Sequence, residues 1–190
     1  MRIGEGLYKG RKVSIPKGIR PAQDFVKKAL FDILREIKDQ TFLDLFAGSG
    51  LIGIEAISRQ AKEVIFVENN PACLKKIRQN LKSLGLTGGF RIIGRDANLA
   101  IKKFFKNGER FNFIFLDPPY EKNLAKKTLK TLGMYDIVNS SGLIIIKHSK
   151  REILPQKEGS LVLFKQKRYS ETFLSFYRKD VPESNLSGNL

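Results

Sequence analysis

The residues with the clearest chemical implication form the segment Asp117-Pro118-Pro119-Tyr120. Proline has no N–H and a fixed φ, so two prolines stiffen this loop, and each holds the residue before it in an extended conformation. The Asp117 carboxylate and the Pro118 carbonyl should therefore present two rigid acceptors into one space. Such a pair can hold both hydrogens of an exocyclic amine and free its nitrogen lone pair for in-line attack on an electrophile.

Tyr120 completes this segment with a flat aromatic face. A base extruded from its stack can lie on such a face, which stabilises binding by about 1–3 kcal/mol. The segment therefore predicts chemistry on the amine of a nucleobase, with Asp117, Pro118, Pro119 and Tyr120 as the catalytic residues. The alternative interpretation is a surface turn with an unrelated acid and aromatic.

A glycine loop is the second informative feature, because Gly48-Ser49-Gly50-Leu51-Ile52-Gly53 satisfies the G-x-G-x-x-G pattern of dinucleotide-binding proteins. Asp44 lies in the strand before this loop, where its carboxylate would repel a pyrophosphate. S-Adenosylmethionine (SAM) carries an ammonium and a sulfonium but no phosphate, so the same carboxylate would attract it. The glycines would let the backbone approach the amino-acid part of SAM closely. The alternative is a tight strand-to-helix turn in which Asp44 caps backbone.

Two more acidic residues follow predicted strands. Glu68 suits the ribose hydroxyls of either ligand, and Asp96 could accept a hydrogen bond from an adenine amine. The single cysteine, Cys73, and the single histidine, His148, cannot form an internal disulfide or a conventional zinc site. We therefore expect SAM as the cofactor and no metal centre.

These residues are placed by an alternating pattern of strands and helices. The apolar runs predict strands at 41–46, 64–68, 90–93, 111–116, 143–147, 160–167 and 172–177, and helices at 22–38, 51–58, from 70 onward, 97–106 and 124–132. Such alternation is typical of a mostly parallel sheet with helices on both faces, here seven-stranded and closed by an antiparallel hairpin. Ligands bind beyond the carboxyl ends of such strands, and both loops fall there.

The charge of the chain points to a polyanionic partner. Its 190 residues include 35 Lys and Arg against 19 Asp and Glu, a formal net charge of +16. Nucleic acid offsets such self-repulsion by releasing counterions. We expect a flexible N-terminal arm with Lys9, Arg11, Lys12 and Arg20 to contact RNA phosphates. The alternative is a basic protein with a charged, solvated surface, and the lysines of 102–106 and 126–130 fit such a surface better than they fit RNA contacts.

No apolar run of about 18 residues and no secretory signal is present, so we expect a cytoplasmic protein without a membrane partner.

Several segments together resemble one bacterial family. LDLFAGSGLIGIEAISRQA (43–61), VEN (67–69), DA (96–97) and FLDPPY (115–120) resemble the RsmD-type small-subunit rRNA guanine-N2 methyltransferases. RIGEGLYKGRKV (2–13), GIRPAQDFVKKALFDIL (18–34) and KRYSETFLSFY (167–177) are similar to the family's leading and closing segments. Many amine methyltransferases share the Asp-Pro-Pro-Tyr signature, so it is the leading and closing segments that favour this family over the other amine methyltransferases.

The resemblance implies an α/β, class I SAM-dependent methyltransferase (Rossmann-like) domain at 39–180, after a basic extension and helix at 1–38 and before a polar tail at 181–190. It implies methylation of a guanine N2 amine in 16S rRNA, with 16S rRNA or the small ribosomal subunit as partner, and we expect a monomer. By position, the resemblance implies that the methionine part of SAM is held by Asp44, Phe46, Ala47, Gly48, Ser49 and Gly50. It implies that Glu68 with Asn69 holds the ribose and that Asp96 with Ala97 holds the adenine. It places the target base at Asp117–Tyr120, and it places Arg20 near the site, where it would contact RNA or close over the cofactor.

The chain departs from the family pattern at four places. Ala22 and Gln23 replace Thr and Thr or Ser, and 25–28 replaces an Arg-Val-Arg-Glu-like stretch. Ser170 stands at the usual glycine of the final hairpin. Lys147 or His148 stands where an acidic residue is common near the end of the fifth strand. We expect these departures to affect substrate contacts and to leave the cofactor loop and the amine site intact.

Three other functions fit parts of the sequence. DNA or RNA adenine-N6 methylation uses the same amine chemistry. A non-catalytic RNA-binding assembly factor could keep the fold but would not need residues 117–120. An NAD-dependent oxidoreductase explains residues 48–53 but neither Asp44 nor Asp117.

Overall fold

The computed structural model describes residues 1–15, 24–34, 36–120 and 123–180. The helices are α1 (Asp24–Leu34), α2 (Leu51–Ser58), α3 (Pro71–Ser83), α4 (Ala97–Lys106) and α5 (Leu124–Met134). The strands are β1 (Thr41–Leu45), β2 (Glu63–Glu68), β3 (Phe90–Gly94), β4 (Phe111–Leu116), β5 (Val138–Ser149), β6 (Lys157–Glu158), β7 (Leu161–Tyr169) and β8 (Thr172–Lys179). None of the helices in these ranges is long and apolar enough to span a bilayer.

All eight of these strands join one sheet in the order β3-β2-β1-β4-β5-β8-β7-β6. Strands β1 to β5 pair in parallel, while β8 runs antiparallel to both β5 and β7. The strand order reverses between β1 and β4, and in such sheets ligands bind beyond the carboxyl ends of the strands at this point. The predicted parallel sheet and C-terminal hairpin are confirmed, and a two-residue strand, β6, is added at the edge.

Alternation along the strands divides the core into two layers. On one face, Phe42, Phe66 and Phe115 pack with apolar residues of α1, α2 and α3. On the other face, Leu43 and Ile114 pack with residues of α4 and α5. The parallel strands are therefore buried on both sides, which explains their nearly unbroken apolar runs.

A close approach between α2 and β2 depends on glycine. A β-carbon at Gly53 would lie only 2.2 Å from Cε1 of the Phe66 ring, so no larger residue fits there without displacing that ring. The last glycine of the G-x-G-x-x-G pattern thus allows α2 to pack this closely against β2.

Residues 1–15 form a folded turn, which we call the N-terminal turn, and the prediction of a flexible arm is wrong for them. Arg2 and Lys12 pair as an antiparallel bridge, and the side chains of Ile3 and Val13 are buried in the core. The amide of Leu7 donates a hydrogen bond to the main-chain oxygen of Ser58 on α2 at 2.8 Å. Burial of these apolar residues between the basic positions offsets the entropy of ordering the segment.

Candidate active site

Four carboxylates lie at the carboxyl ends of four neighbouring strands. Asp44 is the penultimate residue of β1 and Glu68 is the last of β2. Asp96 follows β3 by two positions, and Asp117 follows β4 directly. Because these strands are adjacent and parallel, the two predicted loops meet at one edge of the sheet.

The glycine loop after β1 takes a backbone path that requires left-handed residues. Gly48 has φ of +55°, and Gly50, the capping residue just before α2, has φ of +79°. Phe46 also has a positive φ of +66°, a conformation that costs a non-glycine residue about 1–2 kcal/mol. Strain of this kind is concentrated at ligand-binding loops and is consistent with the predicted role of this one.

Glu68 ties the glycine loop to the loop after β2. Its carboxylate accepts hydrogen bonds from the backbone amides of Gly48 at 2.7 Å, Asn69 at 2.9 Å and Asn70 at 2.8 Å. The predicted cofactor residues Gly48, Glu68 and Asn69 are therefore in direct contact. A carboxylate has about four lone-pair sites, so Glu68 keeps capacity for a further donor.

Asp44 is buried, with only 2% of its surface exposed, and accepts a hydrogen bond from the amide of Gly53 at 3.0 Å. Burial raises the pKa of Asp44 to about 8, an effect that the Gly53 amide opposes and the nearby Asp117 and Glu68 carboxylates reinforce. Asp44 therefore caps backbone, and it also holds a proton at neutral pH that a nearby cation would displace.

Asp96 begins α4 as its capping residue. Its Oδ1 accepts hydrogen bonds from the amides of Asn98 at 2.9 Å and Leu99 at 3.1 Å, and Ala97 beside it is buried. This cap fixes where the helix begins. The predicted contact of Asp96 with an adenine amine remains a prediction.

Asp117 forms an ion pair that the sequence did not predict. The Lys147 ammonium lies 2.7 Å from Oδ1 and 2.9 Å from Oδ2 of Asp117. Leu116 of β4 pairs with Ile146 of β5, so the residues that follow them, Asp117 and Lys147, lie side by side. Of the two residues at the family's acidic position, Lys147 therefore reaches the site, while His148 binds the Ser175 hydroxyl at 2.7 Å.

The two partners of this pair shift each other's pKa. Burial raises the pKa of Asp117 above its usual value, and the charge and hydrogen bonds of Lys147 oppose that rise. Burial would lower the pKa of Lys147, but Asp117 and Tyr120 raise it overall. Lys147 is therefore a stable cation at the site.

Tyr120 presents its ring at the rim of the site. It is 47% exposed, its hydroxyl lies 3.0 Å from Oγ1 of Thr172 on β8, and the Lys147 ammonium lies 5.1 Å from its ring centre. Pro118 is buried and Pro119 is exposed. The partly exposed ring leaves room for a stacked base, and the base-binding role of Tyr120 stays a prediction.

Asn80 on α3 is a buried polar residue that the sequence reasoning missed. Its Nδ2 donates hydrogen bonds to the main-chain oxygens of Ser14 and Ser49, each at 2.9 Å, and its Oδ1 accepts one from the Ser14 amide at 3.0 Å. It thereby joins the N-terminal turn to the glycine loop. Its position on the apolar face that includes Ile77 and Leu81 was the available signal.

The predicted RNA-binding residues divide into two groups. Lys9, Arg11 and Lys12 are exposed on the N-terminal turn, and the Arg11 guanidinium also donates to the main-chain oxygen of Ser83 at 2.9 Å. Arg20 lies outside the described residues.

Within the described parts of the chain, no three His, Cys, Asp or Glu side chains are grouped to hold a metal ion.

Comparison with known proteins places this arrangement in a family. The family model described as "Conserved hypothetical protein 95" matches residues 1–178. Ribosomal RNA small subunit methyltransferase D of Haemophilus influenzae is 34% identical over 166 residues, which cover 86% of each chain. This chain belongs to the methyltransferase D family. The resemblance to RsmD-type enzymes is thereby confirmed.

A further curated relative and a solved structure are similar to this chain over most of its length. The Escherichia coli K12 member is 30% identical over 183 residues, covering 95% of this chain and 90% of that relative. The solved structure of a hypothetical protein from Thermus thermophilus is 31% identical, with a TM-score of 0.82 over 94% of this chain and 99% of that one. The predicted class I SAM-dependent methyltransferase fold is confirmed.

Proposed function

We propose that this protein is a SAM-dependent methyltransferase that modifies the exocyclic N2 amine of a guanine in 16S rRNA. The observation that carries the proposal is the Asp117–Tyr120 segment beside the glycine loop at the strand-order reversal. The names of the relatives support small-subunit rRNA as the substrate. Their match over nearly the whole chain includes the leading and closing segments that separate this family from other amine methyltransferases.

The donor set at the sheet edge fits SAM better than a dinucleotide. Asp44 and Glu68 lie at the ends of the adjacent strands β1 and β2, beside the glycine loop, while Lys147 balances the charge of Asp117 at the end of β4. An ammonium or a sulfonium would displace the proton of Asp44 and be attracted to its carboxylate, whereas a pyrophosphate would be repelled. Asp44 and residues 46–50 would hold the methionine part, Glu68 with Asn69 the ribose, and Asp96 with Ala97 the adenine.

The residues of the chain would act on the amine by positioning and electrostatics. SAM supplies a methyl group on a sulfonium sulfur, and the N–C bond forms as the C–S bond breaks with its electron pair left on sulfur. The Asp117 carboxylate and the Pro118 carbonyl accept the two N–H groups and favour a tetrahedral nitrogen with a directed lone pair. The nitrogen then loses one proton, which the Asp117 carboxylate can accept. Tyr120 stacks against the base.

Tritiated SAM tests the proposal. The protein is supplied with unmodified 16S rRNA, assembled small subunits or unmethylated DNA, and the labelled nucleoside is identified by digestion and chromatography. We expect label as N2-methylguanosine in rRNA, free or assembled. Label in adenine or in DNA, or no label on any substrate, would contradict the proposal.

The variant Asp117→Ala tests the assigned role of the carboxylate. We expect it to abolish transfer and to leave the Kd of SAM within a few fold of wild type, because Asp117 faces the amine and not the cofactor. Calorimetric titration with SAM is the control for an intact cofactor site. Retained transfer would exclude Asp117 as a catalytic residue.

A further inference from the structure

We propose that Lys147 is a positioning residue for methyl transfer, which holds Asp117 as an oriented carboxylate for the target amine. The inference rests on the proposed function and adds to it a residue outside the predicted site. Lys147 stands at a position where the family commonly has an acid, so the inference concerns this chain in particular.

The geometry fixes the plane of the Asp117 carboxylate. The Lys147 ammonium contacts both oxygens, at 2.7 Å and 2.9 Å, and the two side chains are 11% and 23% exposed respectively. A contact to both oxygens disfavours rotation about the Cβ–Cγ bond, because rotation would lengthen at least one of the two contacts. The paired positions of Leu116 and Ile146 on adjacent strands supply the rigid support.

The remaining bonding capacity leaves room for the amine. The Lys147 ammonium has three hydrogens to share between the two Asp117 oxygens and its other neighbours, and the Tyr120 ring lies 5.1 Å away. Each Asp117 oxygen keeps a second lone pair for an N–H of the base. Lys147 therefore orients both the acceptor and the stacking ring without occupying the place of the amine.

The surroundings of Asp117 explain why a cation is needed. Asp44 on β1 is close enough to Asp117 for the two carboxylates to repel each other once a bound cation has displaced the proton of Asp44. Burial also favours the protonated form of Asp117. A protonated Asp117 would present a hydroxyl to the amine and lose acceptor capacity. The positive charge of Lys147 opposes this protonation of Asp117.

An ion pair that served only the fold would give the same distances, so the test must separate positioning from stability. The pH profile of kcat/KM does this, because it reports the protonation of groups in the free enzyme. An opposite charge within 4–6 Å lowers the pKa of a carboxyl by about 1–3 units. Removing the charge of Lys147 should therefore raise the pKa of Asp117.

The experiment compares Lys147→Met, Lys147→Arg and the control Lys179→Met. Lys179 forms a similar partly buried pair, at 2.8 Å to Asp136, elsewhere on the sheet. We expect Lys147→Met to move the acidic limb of kcat/KM upward by about 1–3 pH units, and Lys147→Arg to return it close to wild type. Lys179→Met should leave the limb unchanged while it lowers the melting temperature.

An unshifted limb in a folded Lys147→Met variant would overturn the inference, as would equal shifts in Lys147→Met and Lys179→Met. If Lys147→Met does not fold, the carboxyl carbon of Asp117 is titrated by 13C NMR in wild type and in Lys147→Arg. Ionised Asp117 at neutral pH in both supports the inference, and protonated Asp117 in wild type overturns it. A wild-type protein that transfers no methyl group would instead contradict the proposed function.

Discussion

The side-chain amide of Asn80 donates a hydrogen bond to the main-chain oxygen of Ser49 at 2.9 Å. The same side chain binds the amide and the carbonyl of Ser14. One buried residue thus connects the predicted cofactor loop to the N-terminal turn, which carries exposed basic residues.

Replacing Asn80 with alanine should weaken both of these connections. The main-chain groups of Ser14 and Ser49 would lose their partner, at a cost of about 1–3 kcal/mol for each group left unsatisfied. We expect a lower free energy of unfolding in urea and a KM for SAM raised about tenfold. Asn107→Ala, which removes a bond to Glu109 at the exposed end of α4, is the control. Equal KM values in the two variants would exclude a link to the cofactor loop.

Binding of SAM should release a proton from Asp44. The pKa of Asp44 is about 8 because the residue is buried, so at pH 7 it is mostly protonated in the free protein. An ammonium or sulfonium nearby favours the carboxylate, so the pKa falls and the proton leaves. Calorimetric titrations in buffers of different ionisation enthalpy measure the number of protons released, and we expect up to about one proton per SAM bound. The variant Asp44→Asn should release none, and the same release from both proteins would assign it to another group.

The sequence predicted best those elements whose boundaries are set locally. Helix α4 and strand β4 have their predicted bounds, because Asp96 caps the helix and the apolar run of 111–116 stops at Asp117. Strand β5 begins at Val138 and not at 143. Its first part, around Gly142, lacks an apolar alternation and is ordered by pairing with Phe111 across a register shift.

The parts of the site that the sequence did not predict depend on contacts between distant segments. The Asp117–Lys147 pair follows from the register of two strands about 30 residues apart, which no local pattern determines. The N-terminal turn depends on Asn80 and Ser58, which lie on α3 and α2. The spacing of glycines and basic residues in 1–15 is typical of a flexible arm, and only the tertiary contacts order it.

The variant Ser170→Gly should stabilise the protein. Ser170 begins the two-residue turn between β7 and β8 with φ of +55°, a region that favours glycine. We expect the free energy of unfolding to rise by about 0.5–1 kcal/mol, and the melting temperature by about 1–4 °C. Ser140→Gly, at an exposed position of β5 without a positive φ, should lower both. A loss of stability in Ser170→Gly equal to that in Ser140→Gly would contradict the strain argument.

Neutralising the basic residues of the N-terminal turn should weaken RNA binding. The combined variant Lys9→Gln, Arg11→Gln and Lys12→Gln removes three exposed positive charges. If each contacts a phosphate, the slope of log affinity against log salt concentration should become shallower by about 2. The control replaces Lys102, Lys103 and Lys106 of α4 with glutamine. Equal slopes for the two triple variants would show that the N-terminal turn does not contact RNA.

Glu55 of α2 accepts hydrogen bonds from the amides of Gly4 and Glu5, and its carboxylate is also paired with Lys27 and Arg59. The docked position of the first residues therefore depends on a helix about 50 positions later in the chain. Deuterium uptake at Gly4 and Glu5 reports each detachment of the turn, whereas uptake in β1 and β4 reports opening of the whole sheet. The two rates separate breathing of the turn from global unfolding in a single mass-spectrometric experiment.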